Sequence, residues 1–201
     1  AVTACQSAYY AAWEKVGVEK REILVDRVED ARESQQDAEE QFTSALEEFS
    51  ALIKFNGGDL EEAYQSLNDQ YEASQAAAED VTTRIDKIES VADALFDEWE
   101  AELEEYSNAS LKRTSKQTLS ETRLKYNKMV RAMRKVESSM EPVLSTLQDN
   151  VLFLKHNLNA SAIGALQGEL NNIERDVKTL LTDMQSAIAQ SNSFIADMNG
   201  G

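Results

Sequence analysis

Apolar residues return at alternating steps of three and four positions along most of this chain, in four separate runs. The first is Leu24, Val28, Ala31, Gln35, Ala38, Phe42, Ala45, Phe49 and Leu52. The second is Leu60, Tyr64, Leu67, Tyr71, Ser74, Ala78, Val81, Ile85, Ile88, Ala92, Leu95 and Trp99. The third is Leu119, Thr122, Tyr126, Met129, Met133, Val136, Met140, Val143, Leu147, Asn150 and Leu154. The fourth is Ile163, Leu166, Leu170, Ile173, Val177, Leu180, Met184, Ala187, Ser191, Phe194 and Met198. Such a step puts each run along one side of a helix and invites knobs-into-holes packing with a left-handed supercoil. Leu46, Ile53, Phe96, Val151, Leu181 and Ile195 flank the runs and widen them beyond what a two-stranded zipper needs. With only 7 glycines and 1 proline, a loop-rich β-protein is excluded.

The gaps between runs carry the chemistry of helix ends. In "FNGGDLEE", Gly57 and Gly58 stop one helix, while Asp59 caps the next with Glu62 at the capping-box position. Ser107, Asn108 and Ser110 supply stop and start signals at the second gap, as do Asn157, Asn159 and Ser161 at the third. The spacing predicts helices over 8–55, 60–106, 111–157 and 161–198. Three are of similar length, and ~46 residues at 1.5 Å each make a rod of roughly 70 Å. Matched lengths and short connections predict an all-α fold, an elongated antiparallel up-down-up-down four-helix bundle or coiled coil, forming one helical domain over 14–199. Pro142, inside the third run, predicts a kink or short break near Met140–Glu141. Gln35, Ser74, Thr122, Asn150 and Ser191 predict a partly polar seam that fixes register at some cost in stability. Gly164 and Gly168 would allow close approach of a neighbouring helix, or are simply tolerated in an early turn.

The net charge of −17 repels nucleic acid, so no nucleic-acid partner is expected. No run approaches the ~18 apolar residues that span a bilayer. The charge is unevenly placed. Residues 59–106 hold sixteen acidic and two basic residues, and residues 110–158 hold four acidic and ten basic. In an antiparallel hairpin these stretches face one another and help to select the neighbour. Up-down topology also returns the 106–111 connection to the end that carries Cys5. Lys112, Arg113, Lys116 and Arg123 are therefore candidates for contact with lipid headgroups or a partner.

Nothing catalytic is evident. His156 is the single histidine, which excludes paired Glu-x-x-His ligands, and no P-loop, dinucleotide, EF-hand or Gly-x-Ser-x-Gly pattern occurs. No catalytic residue, metal ligand or cofactor is expected.

Cys5 is the only cysteine, which rules out an internal disulfide. Val2-Thr3-Ala4-Cys5 resembles a bacterial lipobox: an aliphatic residue, a small residue, Gly/Ala/Ser, then cysteine. The resemblance implies that residues 1–4 are a leader remnant, that Cys5 carries a diacylglycerol and an acylated amino group, and that 5–13 form a lipidated anchor. Gln6, rather than an aspartate, follows the cysteine and implies the outer membrane, facing the periplasm. Tyr9, Tyr10 and Trp13 would sit at the lipid interface or cap the end of the bundle.

The opening of the first helix reads Tyr10, Trp13, Glu14, Gly17, Lys20, Arg21, Leu24, Val25, Arg27, Val28, Ala31 and Arg32. It is similar to a "YxxWExxGxxKRxxLVxRVxxAR"-like opening in an uncharacterised family of proteobacterial secreted lipoproteins with helical coiled coils. The resemblance implies a bacterial cell-envelope location and supplies no activity. Lys20, Arg21, Arg27 and Arg32 would form an interaction face, or pair along the helix with Glu19, Glu22, Asp26 and Glu29. The expected function is a non-enzymatic, membrane-tethered scaffold, spacer or adaptor with a protein partner in the envelope. The alternative is a lipid or small-ligand carrier that parts its helices around adaptable Met129, Met133 and Met140.

Overall fold

The computed structural model describes residues 3–55 and 57–200, with the side chains of the first helix from Glu19 onward. The fold is all-α: α1 Thr3–Ile53, α2 Leu60–Leu103, α3 Ala109–His156, α4 Ala160–Gln167 and α5 Leu170–Gly200, with no strand among the described residues. The caps fall where the sequence places them. Asp59 accepts from the Glu61 and Glu62 amides at 2.9 and 3.3 Å. Asn108 accepts from Ser110 and Leu111 at 3.0 and 3.1 Å, and Asn159 from Ala162 at 3.1 Å. Gly57 and Gly58 take φ of +124° and +147°, which side chains disfavour, and so reverse the chain between α1 and α2.

Two expectations need correction. The helix expected over 161–198 is divided at Gly168–Glu169 into α4 and α5. There the Glu169 amide donates to Leu166 O at 3.0 Å, closing a three-residue turn in place of a four-residue one. Gly164 and Gly168 each lower helix propensity by about 1 kcal/mol relative to alanine, which weakens this first stretch. Neither glycine admits a neighbouring helix: a Cβ at Gly164 would meet nothing within 4 Å, and one at Gly168 only Ala165 O of its own turn at 3.8 Å. The second correction concerns the short break expected at Pro142: α3 runs on through it as one helix. Pro142 is exposed while Met140 and Val143 on either side are buried, so seam packing carries the helix past the one missing donor.

α1 packs against α2 and α5, and so does α3, so α1 and α3 stand across the core from one another. Neighbouring helices run in opposite directions. Asp30 meets Arg84 and Glu48 meets Ser66 between α1 and α2, while Glu100 meets Arg123 and Glu89 meets Arg134 between α2 and α3. Lys125–Asp197 and Ser139–Asp183 do the same for α3 and α5, and Arg21–Met198 and Arg32–Asn192 for α1 and α5. No residue of the four runs is exposed, and the fourth keeps its step across the Gly168 turn. Burial of these seams is the main stabilising term.

The polar seam is unevenly satisfied. Ser191 donates to Ala187 O at 2.8 Å and Asn150 to Thr146 O at 2.7 Å. Ser74 accepts from Gln41 Nε2 at 3.3 Å. Gln35 is fully buried and neither of its amide atoms has a partner among the described residues.

Candidate functional site

The basic run at the start of α3 divides into two sets once its helix is placed. Residues at the edge of the seam turn toward α2. Lys112 Nζ lies 3.1 Å from Glu104, and Arg123 pairs with Glu100 with its guanidinium 5.2 Å from the centre of the Phe96 ring. The Arg123 hydrogen bond, with its charge, holds the Glu100 carboxyl below the usual range. Arg134 grips three carboxylates, Asp86 at 2.7 Å, Glu89 at 2.6 Å and Glu137 at 2.6 Å. These bonds, led by Glu89, push its pKa up. Lys112 and Arg123, two of the four expected contact residues, thus serve the α2–α3 hairpin.

Residues half a turn from the seam are left pointing outward. Arg113, Lys116, Lys128, Arg131 and Lys135 are all exposed, on the side of α3 away from Met129, Met133 and Val136. They extend over about 33 Å at 1.5 Å per residue. Leu124, 75% exposed, sits in their midst, and Glu121 at the flank accepts from Gln117. Lys135 also reaches Asp183 at 3.4 Å, with 71% of its own side chain exposed. Arg113 and Lys116 therefore stay candidates. Lys128, Arg131 and Lys135 join them, although sequence reading counted them in the basic run that faces the acidic run of α2 rather than among the contact candidates. Their signal was available: they stand half a turn from the third apolar run.

α1 shows the reverse. Its most exposed charged residues from Glu19 to Ile53 are all acidic, Glu19, Glu22, Asp26, Glu33, Asp37, Glu40 and Glu47, with the Arg27 side chain 41% exposed at their flank. All lie opposite the Leu24–Val28–Ala31 seam. The family-like bases are turned sideways instead. Lys20 pairs with buried Glu98 of α2, Arg21 donates to Met198 O at 3.1 Å, and Arg32 donates to Asn192 at 2.9 Å. Among the described residues only Arg27 pairs along its own helix, with Asp30 at 3.5 Å. Neither an open basic face nor a set of pairs along the helix describes them. Lys20, Arg21 and Arg32 clamp α1 to its neighbours.

Glu102, near the end of α2, has its carboxyl pushed up by burial first and then by the charges of Glu98 and Glu105. A carboxyl raised on folding favours the folded state below its ordinary value and loses that contribution as pH rises through the folded value. Glu102→Gln is therefore expected to raise the melting temperature at pH 7 by about 1 °C. The gain should vanish near pH 4 in thermal melts followed by circular dichroism.

A groove of about 1040 Å³ runs between α2 and α3, with Tyr71, Ala78, Met140 and Leu144 at its floor and Gln75, Glu79, Thr82 and Glu141 among its polar walls. Among the described residues, no three histidine, cysteine or acidic side chains gather as a metal cluster, and no helix is long and apolar enough to cross a membrane. The expectations for Cys5, Tyr9, Tyr10 and Trp13 concern side chains outside the described ones.

A model of a protein family of unknown function, DUF2959, matches residues 9–198. The chain belongs to this family. No curated protein matches it. The matched span of the DUF2959 chain takes in all four apolar runs, the clamps on α1 and both outward faces.

Proposed function

We propose that this DUF2959 protein is a non-enzymatic lipoprotein of the bacterial cell envelope: an elongated up-down-up-down four-helix rod, tethered to the outer membrane through Cys5 and facing the periplasm, that scaffolds or spaces envelope components. The observation that carries the reading is the sorting of charge. Bases at the seam edges are engaged by neighbouring helices, while the outward sides of α1 and α3 each keep one sign over several turns. A surface kept in one sign suits steering and docking of partners rather than stability, because exposed pairs contribute little. The tether is supported by the lipobox-like Val2-Thr3-Ala4-Cys5. Lys20 meets Glu98 near the last turn of α2, which sets the α2–α3 connection beside the amino-terminal part of α1. Carriage of a lipid or small ligand would require the helices to part, because Met129, Met133 and Met140 lie in the core with at most 2% exposed.

The test is the intact mass of full-length protein taken from bacterial membranes. The expected mass exceeds that of the polypeptide cut before Cys5 by one diacylglyceryl and one acyl group, and Cys5→Ser moves the protein to the soluble fraction. An unmodified Cys5 in membrane-derived protein would remove the tether. Crosslinking in living cells that recovers no reproducible partner would remove the scaffold.

A further inference from the structure

We infer that the basic outer side of α3 docks on the acidic outer side of α1 of a second copy, so that the rods associate side by side in an open row. This deepens the scaffold reading by naming its partner, and it uses the tether only as a source of concentration.

The two sides are complementary in charge and in height. Arg21 of α1 and Lys125 of α3 both meet the last turns of α5, at Met198 and Asp197. Asp30 of α1 and Arg134 of α3 both meet the same stretch of α2, between Arg84 and Glu89. Lys128 and Arg131, which lie between Lys125 and Arg134, are therefore level with Glu22 and Asp26, which lie near Arg21 and before Asp30. Two rods standing parallel, with the same end at the membrane, bring these groups face to face without any stagger. The pairs are free to act, because none of the four makes an ion pair among the described residues.

The geometry also fixes the kind of assembly. α1 and α3 lie across the core from one another, so docking α3 of one copy on α1 of the next leaves an acidic side free at one end of the pair and a basic side free at the other. The contact is heterologous and does not close as a dimer. The net charge of −17 does not forbid it. The outer sides of diagonal helices are about 20 Å apart, more than twice the ~8 Å over which charge is felt at physiological salt.

An anionic membrane is the competing occupant for the basic side. Helices that lie on membranes immerse several large apolar side chains, and Leu124 is the only one exposed between Arg113 and Lys135. A second copy supplies the opposite charge at matching height. One helix-wide contact is smaller than the ~1,200 Å² of a stable solution complex, so the row forms only where tethering raises the effective concentration toward the order of millimolar.

The test couples the full chain through Cys5, its single cysteine, to neutral phosphatidylcholine vesicles that carry a maleimide lipid. This makes it independent of whether cells acylate that sulfur. A carbodiimide, which joins amines directly to carboxylates, should then give a ladder of dimers, trimers and larger species, with Lys128 joined to Glu22 or Asp26. The ladder should weaken about tenfold at about 0.5 M salt. Lys128→Glu with Arg131→Glu should abolish it, and adding Glu22→Lys and Asp26→Lys to the same chain should restore it. Lys128→Gln with Arg131→Gln is the milder pair, and unchanged circular dichroism confirms folding in each case. A ladder that stops at dimers, or none at low salt, overturns the inference. So does uncoupled chain that floats with phosphatidylglycerol vesicles through Lys128 and Arg131 while no ladder forms. Failure of the lipoprotein reading would appear elsewhere, as unmodified Cys5 in protein taken from cells.

Discussion

Lys20→Met is expected to lower stability by about 3 kcal/mol, shifting the melting temperature down by about 6–10 °C for a chain of this size. The lysine is 31% exposed but its partner Glu98 only 6%, so among the described residues this one cation holds the carboxylate in the α1–α2 interface. The second oxygen of Glu98 has no partner among the described residues. Removing the ammonium leaves a buried charge with neither water nor counter-ion, and that penalty exceeds the modest value of the pair itself. Glu98→Gln in the Lys20→Met background should recover most of the loss. Urea unfolding with an unchanged slope is the measurement, and the double-mutant cycle isolates the coupling. A Lys20→Met cost under about 1 kcal/mol would place the pair with ordinary exposed ones. The same change made at Arg113 or Lys128, which hold no buried carboxylate, should stay within about 0.5 kcal/mol.

The helices, their caps and the buried side of each were legible because they are local or periodic. Asp59 and Asn108 act on amides two and three residues away, and a step of three and four residues reports on one chain alone. The failures have physical causes as particular as the successes. Pro142 looks like a breaker in isolation, yet it falls on the solvent side between two buried seam residues, and packing overrides the lost bond. The turn at Gly168 was masked by an apolar run that keeps its step across it. The candidate site was half legible. Charge counting finds the basic stretch but does not distinguish a lysine at the seam edge from one half a turn away. That angle decides whether the charge meets an α2 carboxylate or solvent. Lys112 and Arg123 fell on one side of it, and Arg113 and Lys116 on the other. The acidic outer side of α1 was hidden by its interleaved bases, whose long side chains bend sideways to other helices.

Gln35→Leu is expected to stabilise the protein by about 2 kcal/mol, against the usual direction of core substitutions. Gln35 occupies a seam position of α1 with no exposed surface, and both ends of its amide lack partners among the described residues. An unpaired buried donor and acceptor each cost desolvation that folding does not return. Leucine has nearly the same volume and fits the seam of which Ala31 and Ala38 are the neighbouring steps. Gln35→Ala is the control: it removes the same polar atoms but leaves a cavity, so its gain should be small or negative. The measurement is urea unfolding together with amide hydrogen exchange in the middle of α1. Exchange there should slow in step with the gain in global stability, because the unpaired amide burdens the folded state and not the unfolded one. A gain under about 0.5 kcal/mol would place Gln35 with ordinary surface positions, its amide solvated rather than starved of partners.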